Sequence, residues 1–384
     1  MSVDDICSAA KNGDVKRISA LIAAKASLDI QDEDGNTPLH LAAENNHAEI
    51  VQMLIEARAL VDVKRDGGET PLLVASIEGH TEIARMLVAA KASVTAGRDD
   101  DSTPLYFAAR NGYTEMLQML IAAKADVNVK DDDSNTPLHI ATKHGHTENV
   151  QKLITVKAST VVKGEDGLSA SLMAAKWGHP EIMRILLDAK ASLSVNDKKG
   201  NTLLHWATKD GNMENVQMLI AAKASLNAKR RDGCTPLLNA LLEGHTEIAR
   251  LLVEAKASFD CGSKRDDSLL LSSVMCGDIA AIQTLLNSKA HVDCCGGQKH
   301  ITPLYLADLF KRNDILRVLV DAKANLDVVD MYGDTILHRT AEAGDRDVVQ
   351  LLLDAKASLN IENGCSKTPV LVAADANHID IMHT

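Results

Sequence analysis

The stretch "NTPLHLAAENNHAEIVQMLIEARALVDV" at residues 36–63 decides the architecture of the chain, because its features return at a fixed interval. Thr37 opens a "TP" dipeptide, and a threonine or serine holds the same place every 33 residues through Ser268. After one inserted residue, the series resumes at Thr302 and reaches Thr368. The sequence therefore predicts eleven complete units and a partial twelfth, which start near residues 4, 37, 70, 103, 136, 169, 202, 235, 268, 302, 335 and 368.

Each unit predicts two short helices. The threonine is a good N-cap, and proline suits the first helical position because its missing N–H needs no partner there. A glycine such as Gly79 ends the first helix, and "HTEIARMLVAA" at residues 80–90 places apolar residues at helical spacing in the second. Neither helix is long enough to be stable alone. The pattern therefore predicts one continuous array over residues 1–384, with a core shared between neighbouring units.

These features resemble the ankyrin repeat, a 33-residue unit with a "TPLHxA" signature. The resemblance covers nearly the whole chain, in register over eleven units. It implies an all-α solenoid of stacked helix-turn-helix units with projecting β-turn loops. It also implies a protein–protein binding role, exercised through the loop tips and the inner helices.

The residue after the second helix departs from the ankyrin pattern, which usually has glycine there. We call these cations the lysine ladder: Lys25, Arg58, Lys91, Lys124, Lys157, Lys190, Lys223, Lys256, Lys289, Lys323 and Lys356. A cation suits the C-terminus of a helix, but left-handed backbone there would cost about 1 kcal/mol or more for each lysine. We favour a structural or inherited role over the alternative, an extended anionic partner.

The composition and the sequence pattern exclude several classes of function. The net charge of −12 argues against nucleic-acid binding, and no apolar run approaches the length of a transmembrane helix. The N-terminus does not have the pattern of a secretory signal, and the seven cysteines indicate reduced thiols. We therefore expect a monomeric protein in the cytoplasm, with the nucleus as the alternative.

Residues that could carry chemistry are mostly locked to the repeat. Ten of the fourteen histidines fall in two repeat columns, which indicates a framework role rather than a ligand or a base. "HVDCCGGQKH" at residues 291–300 offers His291, Cys294, Cys295 and His300, but its spacing matches no strong zinc signature. Without a phosphate loop or a nucleophile motif, we expect no enzyme activity, no catalytic residue, no metal and no cofactor.

The positions that vary within the fixed frame are the most informative. In the ankyrin family, the residues just before the glycine that ends helix one face the binding groove. Here they form a basic column that continues into an apolar patch, and we predict these partner-binding residues: Arg110, Lys143, Lys176, Trp177, Lys209, Leu242, Met275, Leu309 and Phe310. The column predicts a protein partner with an acidic, partly apolar segment, and the alternative interpretation is a solvated charged face.

The loop tips change from acidic to basic along the chain. Asp99–Asp101 and 131–133 are acidic, whereas Lys198, Lys199, Lys229, Arg230 and Arg231 are basic. The chain also stops early in the last second helix, which predicts that it is a fragment. We therefore expect a non-enzymatic interaction scaffold, and the alternative is the recognition array of a larger enzyme or channel whose other domain lies beyond residue 384.

Overall fold

The computed structural model describes residues 3–243, 245–257, 265–287, 290–294 and 301–382. Throughout these ranges the regular structure is helical, and no β-strand is present. The chain divides into two compact units, Met1–Lys198 and Lys199–Thr384. The all-α prediction is confirmed, while the prediction of one continuous array stays a prediction.

The first unit consists of helix pairs. Its helices are α1 (Val3–Asn12), α2 (Val15–Ala23), α3 (Pro38–Glu44), α4 (Ala48–Glu56), α5 (Pro71–Glu78), α6 (Thr81–Ala89), α7 (Pro104–Asn111), α8 (Thr114–Ala122), α9 (Pro137–Lys143), α10 (Thr147–Thr155), α11 (Ala170–Lys176) and α12 (Pro180–Asp188). First helices pack on first helices and second helices on second helices, so α7 contacts α9 and α9 contacts α11.

The second unit repeats this arrangement. Its helices are α13 (Leu203–Lys209), α14 (Met213–Ala221), α15 (Pro236–Leu242), α16 (Thr246–Glu254), α17 (Arg265–Cys276), α18 (Ile279–Asn287), α19 (Pro303–Leu309), α20 (Asn313–Asp321), α21 (Ile336–Ala343), α22 (Arg346–Asp354), α23 (Pro369–Asp375) and α24 (Ile379–Met382). Helix α13 packs on α15, and α21 packs on α23.

The threonine and histidine of the "TPLH" motif cap the first helix together. The Thr37 hydroxyl accepts the N–H of His40, and the Thr37 N–H donates to His40 Nδ1 over 3.2 Å. His40 Nδ1 therefore carries no proton, and Nε2 donates to the Glu69 carbonyl in the next turn over 3.0 Å. His139, His205 and His338 make the corresponding bonds to turn carbonyls. The predicted framework role is confirmed.

The second histidine column explains the glycine that ends the first helix. Gly112 has a φ of +77°, and an added Cβ would lie 2.8 Å from the His146 ring. The ring occupies the space above the glycine, and its Nε2 bonds to the Arg110 carbonyl over 2.8 Å. The other five histidines of this column contact a carbonyl 36 residues upstream in the same way.

The lysine ladder adopts left-handed backbone. All ten members in the described ranges have φ between 59° and 71°; Lys289 lies outside those ranges. The Lys223 N–H bonds to the Ile220 carbonyl, and the Ala224 N–H bonds to the Leu219 carbonyl, each over 2.9 Å. This pair of bonds ends a helix and normally favours glycine. The fold thus keeps its helix ends hydrogen-bonded despite the strain of a side chain.

Candidate functional site

Three cations of the first unit occupy one column on neighbouring first helices. Arg110 is exposed in the last turn of α7, and Lys143 and Lys176 are the half-buried last residues of α9 and α11. Lys143 Nζ lies 3.9 Å from Glu165 Oε2, and both side chains are more than a third exposed. An ion pair this exposed contributes little to the stability of the fold. The column therefore keeps a positive character.

An exposed aromatic ring adjoins the end of this column. Trp177 is 46% exposed, and tryptophan side chains are on average more buried than this. Lys176 Nζ lies 5.3 Å from the ring centroid, within the range of a cation–π contact. We call Arg110, Lys143, Lys176 and Trp177 the first-unit column. It offers positive charge beside an apolar surface.

His144 adds no charge to the first-unit column at neutral pH. Partial burial lowers the pKa of this imidazole, and the positive charges of His146, Arg110 and Lys143 lower it further. Its ring stacks on that of His146 with centroids 6.1 Å apart. The charge of the column therefore comes from the arginine and the two lysines.

The second unit holds a separate group of cations. Lys209, the last residue of α13, is exposed, and its Nζ lies 5.8 Å from the Trp206 ring centroid. These two residues line a concavity of about 380 Å³ with Lys199, Asn201, Arg230, Arg231 and Asp232. We call it the basic concavity. Arg230 Nε donates to Asp232 Oδ1 over 2.7 Å, and this bond holds the pKa of the Asp232 carboxyl below its usual value.

The apolar end of the predicted groove is only partly present. Leu309 and Phe310 are half-buried at the end of α19, and Leu242 ends α15 with a side chain outside the described part of the structure. Met275 is only 1% exposed within α17, so its predicted exposure is wrong. The cause is packing, because this side chain turns into the core while its neighbour Cys276 is exposed.

Within the described ranges, no three His, Cys, Asp or Glu side chains are placed to hold a metal ion. Of the weighed zinc ligands, His291 and Cys294 are described, whereas Cys295 and His300 lie outside the described residues.

Sequence reasoning missed three residues of the basic concavity, Asn201, Trp206 and Asp232, and Trp206 is the largest of them. It follows His205 in a slot that is apolar and buried in other units, for example Leu41 and Ile140. The Trp206 indole, in contrast, is half-buried. The signal available in the sequence was the tryptophan itself, because it is one of only two in the chain and stands where other units have smaller side chains.

Stacked helix pairs of this geometry, with histidines that bond to the carbonyls of neighbouring turns, define a repeat protein. The family model for ankyrin repeats (3 copies) matches residues 6–98, 94–164, 138–230, 170–265, 214–295, 270–363 and 305–384. The chain therefore belongs to the ankyrin repeat family. Ankyrin repeats are protein–protein interaction modules, and the family is typically non-catalytic. No curated protein matches the chain.

In the part of the chain that the structure describes, no helix combines the length and the apolar character that crossing a bilayer requires.

Proposed function

We propose that this chain is a non-enzymatic scaffold that binds an acidic, partly apolar segment of a partner protein through the first-unit column and adjacent loop tips. The observation that carries this proposal is the column itself, three cations on three packed helices beside the 46% exposed Trp177. We place this activity in the cytoplasm or nucleus and assign it to a monomer. Reduced thiols suit those compartments, and none of the five described cysteines forms a disulfide.

Each part of the column has a separate task in binding. The three cations attract acidic side chains, which raises the association rate and fixes the register of the segment. Trp177 offers the large rigid surface that dominates many interfaces once water is excluded. The side chains of Arg110 and Trp177 are exposed, so changing them leaves the stacking core intact.

The experiment begins with a pull-down that uses the whole chain as bait and then measures the kinetics of the recovered partner. The double variant Lys143→Glu, Lys176→Glu should slow association and flatten its salt dependence. Trp177→Ala should mainly speed dissociation, at a cost of about 2 kcal/mol or more.

The matched control reverses two exposed cations of the lysine ladder, Lys124→Glu and Lys157→Glu. It changes the net charge by the same amount at the other end of the helix pairs. It should leave the association rate nearly unchanged. The proposal fails when the partner binds the column variants as tightly as the original chain, or when both double variants weaken binding equally.

A further inference from the structure

The basic concavity of the second unit has a charge unlike that of the whole chain. Four cations, Lys199, Lys209, Arg230 and Arg231, line it with one carboxylate, Asp232, which gives a local charge of +3. The whole chain carries −12. Electrostatic attraction to an anion is therefore concentrated there, where it steers and orients a ligand.

The backbone around the concavity is held in place. The Arg231 N–H donates to the Lys199 carbonyl over 3.1 Å, which joins two successive loop tips. Within the second tip, Asp232 Oδ1 accepts both Arg230 Nε and the Cys234 N–H, over 2.7 and 3.0 Å. These bonds hold the backbone of the two loop tips and the Arg230 side chain in place before any ligand arrives, which lowers the cost of binding.

The kinds of side chain specify the anion. Two consecutive arginines provide planar donor forks, which match the oxygens of a phosphate better than the point charge of an ammonium does. A phosphoryl group brings about −1.5 to −2 charges at neutral pH, so it answers a local charge of +3 better than one carboxylate. The chemistry of the site favours a phosphate dianion.

The volume of the basic concavity and the Trp206 ring indicate what kind of molecule carries the phosphate. A volume of about 380 Å³ has room for a phosphorylated side chain and parts of its neighbours, more than a bare anion fills. Trp206 is half-buried beside Lys209, so it presents ring surface to an apolar or aliphatic neighbour. The overall charge of −12 disfavours a long polyanion such as RNA, whose phosphates extend beyond the concavity.

We infer that the basic concavity binds a phosphorylated serine or threonine within a segment of a protein partner. Arg231 and Lys209 hold the phosphate oxygens, and Trp206 packs against the residue beside the phosphorylated one. This second site is separate from the first-unit column, and binding here does not depend on the function proposed for that column.

The experiment uses the full chain and an array of short peptides, in which each sequence occurs with serine, phosphoserine or glutamate at its centre. The chain should be retained most strongly by phosphoserine peptides. In solution, fluorescence anisotropy of the best of these should show binding about tenfold or more tighter than its serine form, since charged hydrogen bonds form only with the phosphate.

Variants then locate the binding. Lys209→Gln and Arg231→Gln should each weaken the phosphopeptide about tenfold, the effect of losing one charge-assisted hydrogen bond. Lys124→Gln, at an exposed lysine-ladder position that belongs to neither site, is the matched control and should leave the phosphopeptide affinity unchanged. Circular dichroism confirms that each variant keeps its helices, so a loss of affinity is not a loss of fold.

Four results would overturn the inference. Two concern binding: glutamate and phosphoserine peptides bind equally, or Arg231→Gln and Lys209→Gln leave the phosphopeptide affinity unchanged. Two concern competition: single-stranded RNA displaces the phosphopeptide at a lower concentration than the unlabelled phosphopeptide does, or inorganic phosphate competes as strongly as the phosphopeptide. A failure of the first-unit column is recognised independently, because it appears in the partner kinetics of Lys143 and Lys176 variants.

Discussion

Replacing Asn149 by valine should stabilise the chain, although the substitution removes a hydrogen bond. Asn149 lies in α10 and is 1% exposed. The equivalent positions 33 residues before and after it are Met116 and Ile182, which are buried and apolar. The asparagine Nδ2 donates to the Ala108 carbonyl over 3.0 Å, while its Oδ1 has no hydrogen-bond partner in the described structure.

The magnitude follows from these contacts. Losing the bond to Ala108 costs about 1 kcal/mol, and that carbonyl still accepts the Tyr113 N–H over 3.0 Å. Removing a buried acceptor that lacks a partner returns about 1–3 kcal/mol, and burying valine adds about 1.5 kcal/mol or more. Overpacking offsets part of this gain. We expect Asn149→Val to stabilise by about 1–2 kcal/mol.

A second asparagine in the same repeat position provides the matched comparison. Asn215 in α14 is fully buried, and neither Oδ1 nor Nδ2 has a hydrogen-bond partner in the described structure. Asn215→Val therefore loses no hydrogen bond and should gain about 1 kcal/mol more than Asn149→Val. Val348 occupies this position in a later unit, 2% exposed, so the backbone there accepts valine. The reverse change, Val348→Asn, should destabilise.

The assay is guanidinium unfolding followed by circular dichroism, with native-state hydrogen exchange of α10 and α14 to locate the change. Exchange is needed because a repeat array can lose its cooperativity. A lower free energy of unfolding for both valine variants would refute the reasoning. Equal gains at residues 149 and 215 would refute only the account of the Ala108 hydrogen bond.

Three further predictions concern the framework. Lys223→Gly should stabilise by a few tenths to about 1 kcal/mol, because glycine relieves the strain of left-handed backbone; a lower melting temperature would show that the lysine makes stabilising contacts. Burial lowers the pKa of His40 and of His139 to about 4, so the unfolded chain binds more protons between pH 6.5 and 4. Stability should therefore fall as the pH drops through that range, by at most about 1.4 kcal/mol per pH unit for each histidine, and His40→Gln with His139→Gln should flatten the profile in urea unfolding. Amide protons after Thr368 should exchange fastest, since Ile379 is 58% exposed and α24 spans four residues, and strong protection there would contradict this.

The repeated positions could be predicted from sequence because each answers a local requirement. Thr37 caps a helix, His40 joins that cap to the next turn, and Gly112 leaves space for the His146 ring. Each of these contacts joins residues a fixed number of positions apart. The 33-residue period therefore repeats the same pair of residues from unit to unit. Met275 shows the limit of this reasoning. The period gives its place in the unit, but the packing of its own neighbours decides that it is buried.

The basic concavity could be predicted only in part, for a related reason. The basic loop tips are visible in the sequence, and the turn-to-turn bond between Lys199 and Arg231 follows from stacking. Trp206, however, occupies a slot that usually faces the core, and the sequence does not show that the indole stays half-buried beside Lys209. A departure in size or charge at a framework position, such as Trp206, is visible in the sequence, but the period alone does not say how its side chain is placed.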